Sequence, residues 1–164
     1  MRYHNITHED MNNGDGLRVV LWLSGCEHHC HGCQNPLTWN PDDGLEFDIQ
    51  AKQEIFDELS KDFISGITFS GGDPLHENNR EMVSSLCKEI KDKFPNKTVW
   101  IYTGYSWEDV MQEEVMKFTD VLVDGKFVQE LADRTFHWAG STNQKVIDVQ
   151  KTLKEGKVIL HGSH

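Results

Sequence analysis

Read for hydrophobic periodicity, the chain alternates short apolar runs with amphipathic stretches. Residues 17–24 (Leu-Arg-Val-Val-Leu-Trp-Leu-Ser) are apolar and β-branched, the mark of a buried strand, and lead straight into Gly25. After a turn-rich stretch over 35–44, Asp48 can cap a helix whose Ile55, Phe56, Leu59 and Phe63 share one face. Residues 66–70 read as a second strand that stops at Gly71-Gly72-Asp73-Pro74. The next helix carries Met82, Val83, Leu86, Cys87, Ile90 and Phe94 at helical spacing. Residues 98–103 form a third strand closing on Gly104, and Ser106 with Asp109 makes a capping-box-like start for a helix with Val110, Met111 and Val115. Residues 120–123 are a fourth short strand ending at Asp124-Gly125, and the runs 146–149 and 158–160 are candidate edge strands.

Strand alternates with helix, which favours an α/β fold with a parallel sheet and right-handed crossovers. Polar, glycine-bearing segments follow the strands at their carboxyl ends, the edge where parallel α/β folds bind ligands. The segment after Ser24, the Gly-Gly-Asp-Pro turn, Thr103-Gly104 and Asp124-Gly125 are therefore expected to meet on one rim. An eight-stranded barrel takes about 250 residues, and this chain has 164. With no repeat or linker in view, the expectation is one domain over residues 1–164, an open, partial (βα) barrel with mostly parallel strands.

Charge narrows the classes of partner. With 16 basic and 27 acidic side chains the formal net charge is −11, which argues against binding a phosphate backbone, so no direct nucleic acid is expected. No apolar run approaches the roughly 18 residues of a membrane span, and the first residues lack the apolar core of a secretion signal. Three of the four cysteines crowd together, which reads as a metal site in a reducing compartment rather than a disulfide framework. No membrane association and a cytoplasmic location are the corresponding expectations.

The crowded stretch is Cys26-Glu27-His28-His29-Cys30-His31-Gly32-Cys33, with the spacing Cys-x3-Cys-x2-Cys. Three thiolates can hold an iron–sulfur cube and leave one iron without a protein ligand, open to a small molecule. The competing reading is a closed tetrahedral zinc site with His28, His29 or His31 as fourth ligand, in a non-enzymatic interaction module. Cys87 lies on an apolar helix face beside Val83 and Leu86 and reads as a small core residue. Gly71 and Gly72 let a ligand approach the backbone closely, although an ordinary strand-to-helix turn has the same look. No nucleophile elbow or His-Glu-x-x-His helix accompanies the nine histidines.

The three-cysteine loop followed by a Gly-Gly-Asp-Pro turn resembles the radical S-adenosylmethionine (SAM) superfamily, whose Gly-Gly-Glu motif holds the methionine amino group; Asp73 replaces that Glu here. Within it the chain looks like the activating proteins of anaerobic ribonucleoside-triphosphate reductases. The carrying residues are Gly16-Leu17-Arg18, Ser24-Gly25-Cys26, Gly32-Cys33-Gln34-Asn35, Thr38-Trp39, Tyr102-Thr103-Gly104-Tyr105, Asp124-Gly125 and, most discriminating, the stretch 138–148 (Trp-Ala-Gly-Ser-Thr-Asn-Gln-Lys-Val-Ile-Asp). Lys126, Ala139 and Lys145 stand where the family often has Pro, Arg and Arg, so an Arg-mediated partner contact is not carried over.

The resemblance implies a radical SAM type fold and a [4Fe-4S] cluster on Cys26, Cys30 and Cys33. It implies SAM contacts at Gly32, Cys33 and Gln34 and at Gly71, Gly72 and Asp73, with Thr103, Gly104 and Asp124 near the ribose or adenine unless they are only turn residues. It further implies reduction by a flavodoxin-type donor and abstraction of a hydrogen atom from a glycine near the C-terminus of the reductase large subunit, leaving a glycyl radical. No protein acid or base is required, so no catalytic side chain is nominated. Activation of another glycyl-radical enzyme, of the pyruvate formate-lyase type, is the nearer rival.

Overall fold

The apolar runs become the parallel centre of a single seven-stranded sheet in the computed structural model, which describes residues 1–30, 33, 39–133 and 135–162. The strands are β1 (Arg2–Asp10), β2 (Leu17–Leu23), β3 (Leu45–Glu46), β4 (Ile64–Gly71), β5 (Thr98–Tyr102), β6 (Val121–Asp124) and β7 (Lys145–Asp148). They are ordered β3-β1-β2-β4-β5-β6-β7. Helix α1 (Ile49–Leu59) precedes β4, α2 (Arg80–Lys93) links β4 to β5, and α3 (Trp107–Val110) with a 3-10 turn (Glu114–Phe118) links β5 to β6. Helix α4 (Val149–Glu155) follows β7.

The sheet is mixed and open. Pairings β2–β4, β4–β5 and β5–β6 are parallel, whereas β1–β2, β1–β3 and β6–β7 are antiparallel. The expectation of mostly parallel strands is corrected on this point. The short loop 11–16 is enough to join antiparallel neighbours, whereas a parallel return needs a crossover of a dozen or more residues. The N-terminal strand β1 was not foreseen, because of its residues only Ile6 is buried and no apolar alternation marks it.

Helix α1 starts where expected, with Asp48 accepting from Ala51 N at 2.9 Å. It stops at Leu59, however, so Phe63 falls beyond it and is exposed rather than on the buried face. In α2 the buried stripe is Val83, Leu86, Cys87 and Ile90, while Met82 lies outside it and is exposed. The helix expected through Val110, Met111 and Val115 breaks into α3 and the 3-10 turn. Residues 158–160 add no strand, only an isolated bridge from Leu160 to Ile147. Among the described residues no helix is long and apolar enough to cross a membrane.

The central strands are buried on both faces, which explains why β2 is apolar at every position but Arg18. Val19, Leu21, Ile67, Phe69, Val99 and Ile101 pack into the core that also takes the buried faces of α1 and α2. Between these positions Arg18, Thr68 and Trp100 point to the other face, since successive strand residues alternate. Arg18 is fully buried, and all five guanidinium hydrogens are used: Nε donates to Thr68 Oγ1, Nη1 to Asp15 O and Thr98 Oγ1, and Nη2 to Ile67 O and Thr98 O, all at 2.8–2.9 Å. One side chain thus ties β2, β4, β5 and the loop 11–16 together.

Candidate functional site

Beyond the carboxyl ends of the parallel strands lies a cleft of about 770 Å³. Cys26, Cys30 and Cys33 line it together with Gly71, Gly72, Asp73, Tyr102, Thr103, Gly104 and Gly125. Phe127 and the stretch 135–140 complete the wall. The rim expected from the sequence therefore forms, with two qualifications. Gly32 and Gln34 lie outside the described residues. Asp124 is buried beside the cleft rather than lining it: Oδ2 accepts from Trp107 N and Oδ1 from Lys145 N, both at 2.9 Å, which joins the starts of α3 and β7.

The arm that carries the cysteines leaves β2 bonded to the Gly-Gly-Asp turn. Gly72 N donates to Leu23 O at 2.8 Å and Asp73 N to Gly25 O at 2.6 Å. Asn79, buried at the start of α2, donates through Nδ2 to Ser24 O at 2.8 Å and Asp73 O at 3.0 Å. Gly71 makes this approach possible: its φ is +101°, and an added Cβ would lie 2.5 Å from Leu23 N. Farther along the arm Cys26 N donates to Trp39 O at 3.0 Å and Cys33 N to Cys30 O at 3.1 Å. His29 adopts φ 47° and stacks on Trp39 with ring centroids 4.5 Å apart, a backbone conformation that clusters at functional sites.

Asp73 is the hub of the site. Its Oδ1 accepts from Leu75 N at 2.9 Å and Thr103 Oγ1 at 2.8 Å, and its Oδ2 from Gly104 N at 2.9 Å and His28 Nε2 at 2.6 Å. The His28 ring lies edge-on to Tyr105, and the Tyr105 hydroxyl donates to Glu27. That bond holds the Glu27 carboxyl below its usual range, while burial, reinforced by Glu27, pushes the Tyr105 hydroxyl up.

The donor set fits an iron–sulfur cluster better than zinc. His28 is engaged by Asp73 and His29 by Trp39, and His31 lies outside the described residues. Among the described residues no three His, Cys, Asp or Glu side chains gather closely enough for a single metal ion. Three cysteines on one arm around one cleft suit a larger, thiolate-held cluster. Burial pushes the Cys26 thiol up to about 11. Cys87 is wholly buried in the core and its thiol is pushed far above the ordinary range by that burial, as befits an inert packing residue.

The stretch 138–148, distinctive in sequence but without an assigned chemistry, closes the loop 125–144. Gln144 Oε1 accepts from Gly140 N and Ser141 N at 3.0 Å and from Ser141 Oγ at 3.1 Å, while Nε2 donates to Gly125 O at 2.9 Å. Asn143 Nδ2 donates to Lys126 O, and Ser141 Oγ accepts from Val128 N. This closure holds Phe127 and residues 135–140 at the cleft. Gln144→Ala is expected to cost about 1–3 kcal/mol, the usual penalty for buried polar groups left unpaired. Amide exchange at Gly140 and Ser141 should accelerate while the central strands keep their protection, and unchanged exchange there would refute the assignment.

Sequence reasoning missed Asn79, for which no local pattern exists, and gave His28 only a possible zinc role. Its place midway between Cys26 and Cys30 was the available signal.

Comparison with known proteins agrees with this site. A family model described as a 4Fe-4S single cluster domain matches residues 12–147. The chain is 44% identical to the anaerobic ribonucleoside-triphosphate reductase-activating protein of Enterobacteria phage T4 over 146 residues, covering 89% of this chain and 93% of that one. It is 41% identical to the protein of the same name from Escherichia coli K12 over 150 residues (89% and 97%). For that of Haemophilus influenzae the figures are 40% over 148 residues (88% and 96%). With the cysteine arm, the Gly-Gly-Asp turn and residues 138–147 inside the region the family model matches, and with these relatives at 40–44% identity, the chain belongs to the family of anaerobic ribonucleoside-triphosphate reductase-activating proteins.

Proposed function

We propose that this protein activates an anaerobic ribonucleoside-triphosphate reductase by reductive cleavage of SAM, leaving a glycyl radical near the C-terminus of the reductase large subunit. The observation that carries the reading is the convergence of Cys26, Cys30 and Cys33 with the Gly-Gly-Asp turn on one cleft, in a chain whose relatives bear that name. Held by Cys26, Cys30 and Cys33, a [4Fe-4S] cluster would supply the single electron that reductive cleavage of the SAM sulfonium requires, with methionine and 5′-deoxyadenosine as the final products and the partner glycine as the hydrogen-atom donor.

The chain's own residues bind, orient and enclose. Cys26, Cys30 and Cys33 are the ligands, with Gly32 and Gln34 flanking Cys33. The amides of Gly72 and Asp73 are already bonded to the cysteine arm. What the turn offers a methionine amino group is therefore main-chain acceptors, matched to a donor. Thr103 and Gly104, at the end of β5, border the place for the ribose or adenine, and Asp124 acts there through the neighbouring Gly125. Trp39, Tyr102, Phe127 and Phe136 give the cleft aromatic walls that limit water around a reactive radical. A flavodoxin-type protein is the proposed electron donor.

The test is anaerobic reconstitution with iron and sulfide, reduction, and incubation with SAM and the reductase, read by electron paramagnetic resonance. A [4Fe-4S] signal, 5′-deoxyadenosine and a glycyl radical on the reductase are expected. Cleavage with a radical only on a different glycyl-radical enzyme would refute the partner, and a protein that binds zinc alone would refute the chemistry.

A further inference from the structure

The reaction just proposed assigns nothing to His28, yet its side chain is only 5 % exposed and lies in the middle of the cysteine arm. We infer that His28 is a positioning residue: its Nε2–H···Oδ2 bond to Asp73 fixes the Cys26–Cys30 arm against the Gly-Gly-Asp turn, and so sets the cluster ligands relative to the SAM-binding turn. The inference rests on reading Cys26, Cys30 and Cys33 as cluster ligands.

An ionised carboxylate has about four acceptor positions. Four groups donate to Asp73: Leu75 N, Thr103 Oγ1, Gly104 N and His28 Nε2. Leu75 belongs to the same turn, and Thr103 and Gly104 follow β5. His28 alone comes from the cysteine arm. With the carboxylate filled in this way, Asp73 holds the chain together, and a ligand's amino group is left to the main chain of the turn. Main-chain bonds from Gly72 N to Leu23 O and from Asp73 N to Gly25 O fix the start of the arm, and His28 fixes it between two of the thiols.

The surroundings are shaped for this ring. A Cβ on Gly104 would lie 2.4 Å from His28 Cδ2 and 2.7 Å from Nε2, so residue 104 must lack a side chain for the imidazole to seat. Tyr105 closes over the ring at 4.5 Å between centroids and is itself tied to Glu27, the neighbour of His28. Asp at position 73, where the superfamily motif has Glu, fits the same arrangement.

The experiment uses the full chain reconstituted anaerobically, as wild type, His28→Ala and His28→Gln, the last keeping an N–H donor. Iron release to a chelator reports ligand positioning. The SAM-induced change in the spectrum of the reduced cluster reports SAM affinity, and circular dichroism of the metal-free chains reports folding. His28→Ala is expected to lose iron about tenfold faster and to bind SAM about tenfold more weakly, the scale seen when groups that orient metal ligands are removed. His28→Gln should recover most of both.

An Ala variant that matches wild type in both readouts would overturn the inference. So would a folded Gln variant as defective as Ala, which also decides the matter should the Ala chain fail to fold. A wild-type chain that takes up no four-iron cluster would instead overturn the ligand reading beneath it.

Discussion

Cys30→Ala is expected to abolish both the [4Fe-4S] signal and SAM cleavage, the largest single effect on activity from any residue of the site. Two thiolates cannot complete a three-cysteine ligand set, and the nearest imidazole on the arm, His28, is engaged by Asp73. The loss should be chemical rather than structural. Cys30 is half-buried and outside the hydrophobic core, so the metal-free chain should change in stability by less than about 1 kcal/mol. Cys87→Ala is the control: its thiol faces the core, and iron uptake should equal that of wild type. Iron and sulfide analysis with a 5′-deoxyadenosine assay checks both variants. Cleavage by a Cys30→Ala chain free of cluster would end the proposed mechanism.

Arg18→Met should have the largest effect on stability, about 3–5 kcal/mol, from a site with no part in the chemistry. The substitution keeps much of the volume but strips donors from Asp15 O, Ile67 O and Thr98 O. A hydrogen bond to a charged donor contributes roughly 1.5–3 kcal/mol, and the substitution removes several at once. For a chain of this size the melting temperature should fall by roughly 10 °C or more. Arg18→Lys should recover only part of this, because an ammonium cannot reproduce a planar fork directed at five acceptors.

Burial lowers the Arg18 pKa to about 10. Between pH 6 and 9 the group is charged in the folded and unfolded chains alike, so the deficit should not vary with pH there. All five hydrogen bonds need the protonated guanidinium, so they hold throughout that range. Calorimetry of the metal-free proteins checks both points, and a melting temperature within 2 °C of wild type would refute the assignment.

The parallel strands were legible because burial on both faces leaves an uninterrupted apolar run, as in Val19-Val20-Leu21. The rim was legible because a ligand-binding edge places glycines directly after strands, as at Gly71 and Gly104. Strand β1 was not legible, since Arg2–Asp10 lies towards the sheet edge and is held by main-chain pairing that leaves no apolar periodicity. The end of α1 was misjudged because apolar spacing runs on to Phe63 while the helix closes at Ser60. Within the site the cysteines and the Gly-Gly-Asp turn were evident from local spacing. The partners of Asp73 were not: His28 lies 45 residues away and Thr103 30, and only the fold joins them.

The loop closed by Gln144 also sets which positions are free to drift. Lys126 takes part through its carbonyl oxygen, and Lys145 pairs with Asp124 through its amide. The Lys126 contribution does not depend on the identity of its side chain, whereas Lys145 Nζ also lies 3.7 Å from Asp124 Oδ2 and 3.8 Å from Glu108 Oε1. Both are positions at which the sequence departs from what the resemblance leads one to expect. The closure at position 126 is therefore indifferent to that exchange, and the side chain there can change while the course of the loop over the cleft is kept.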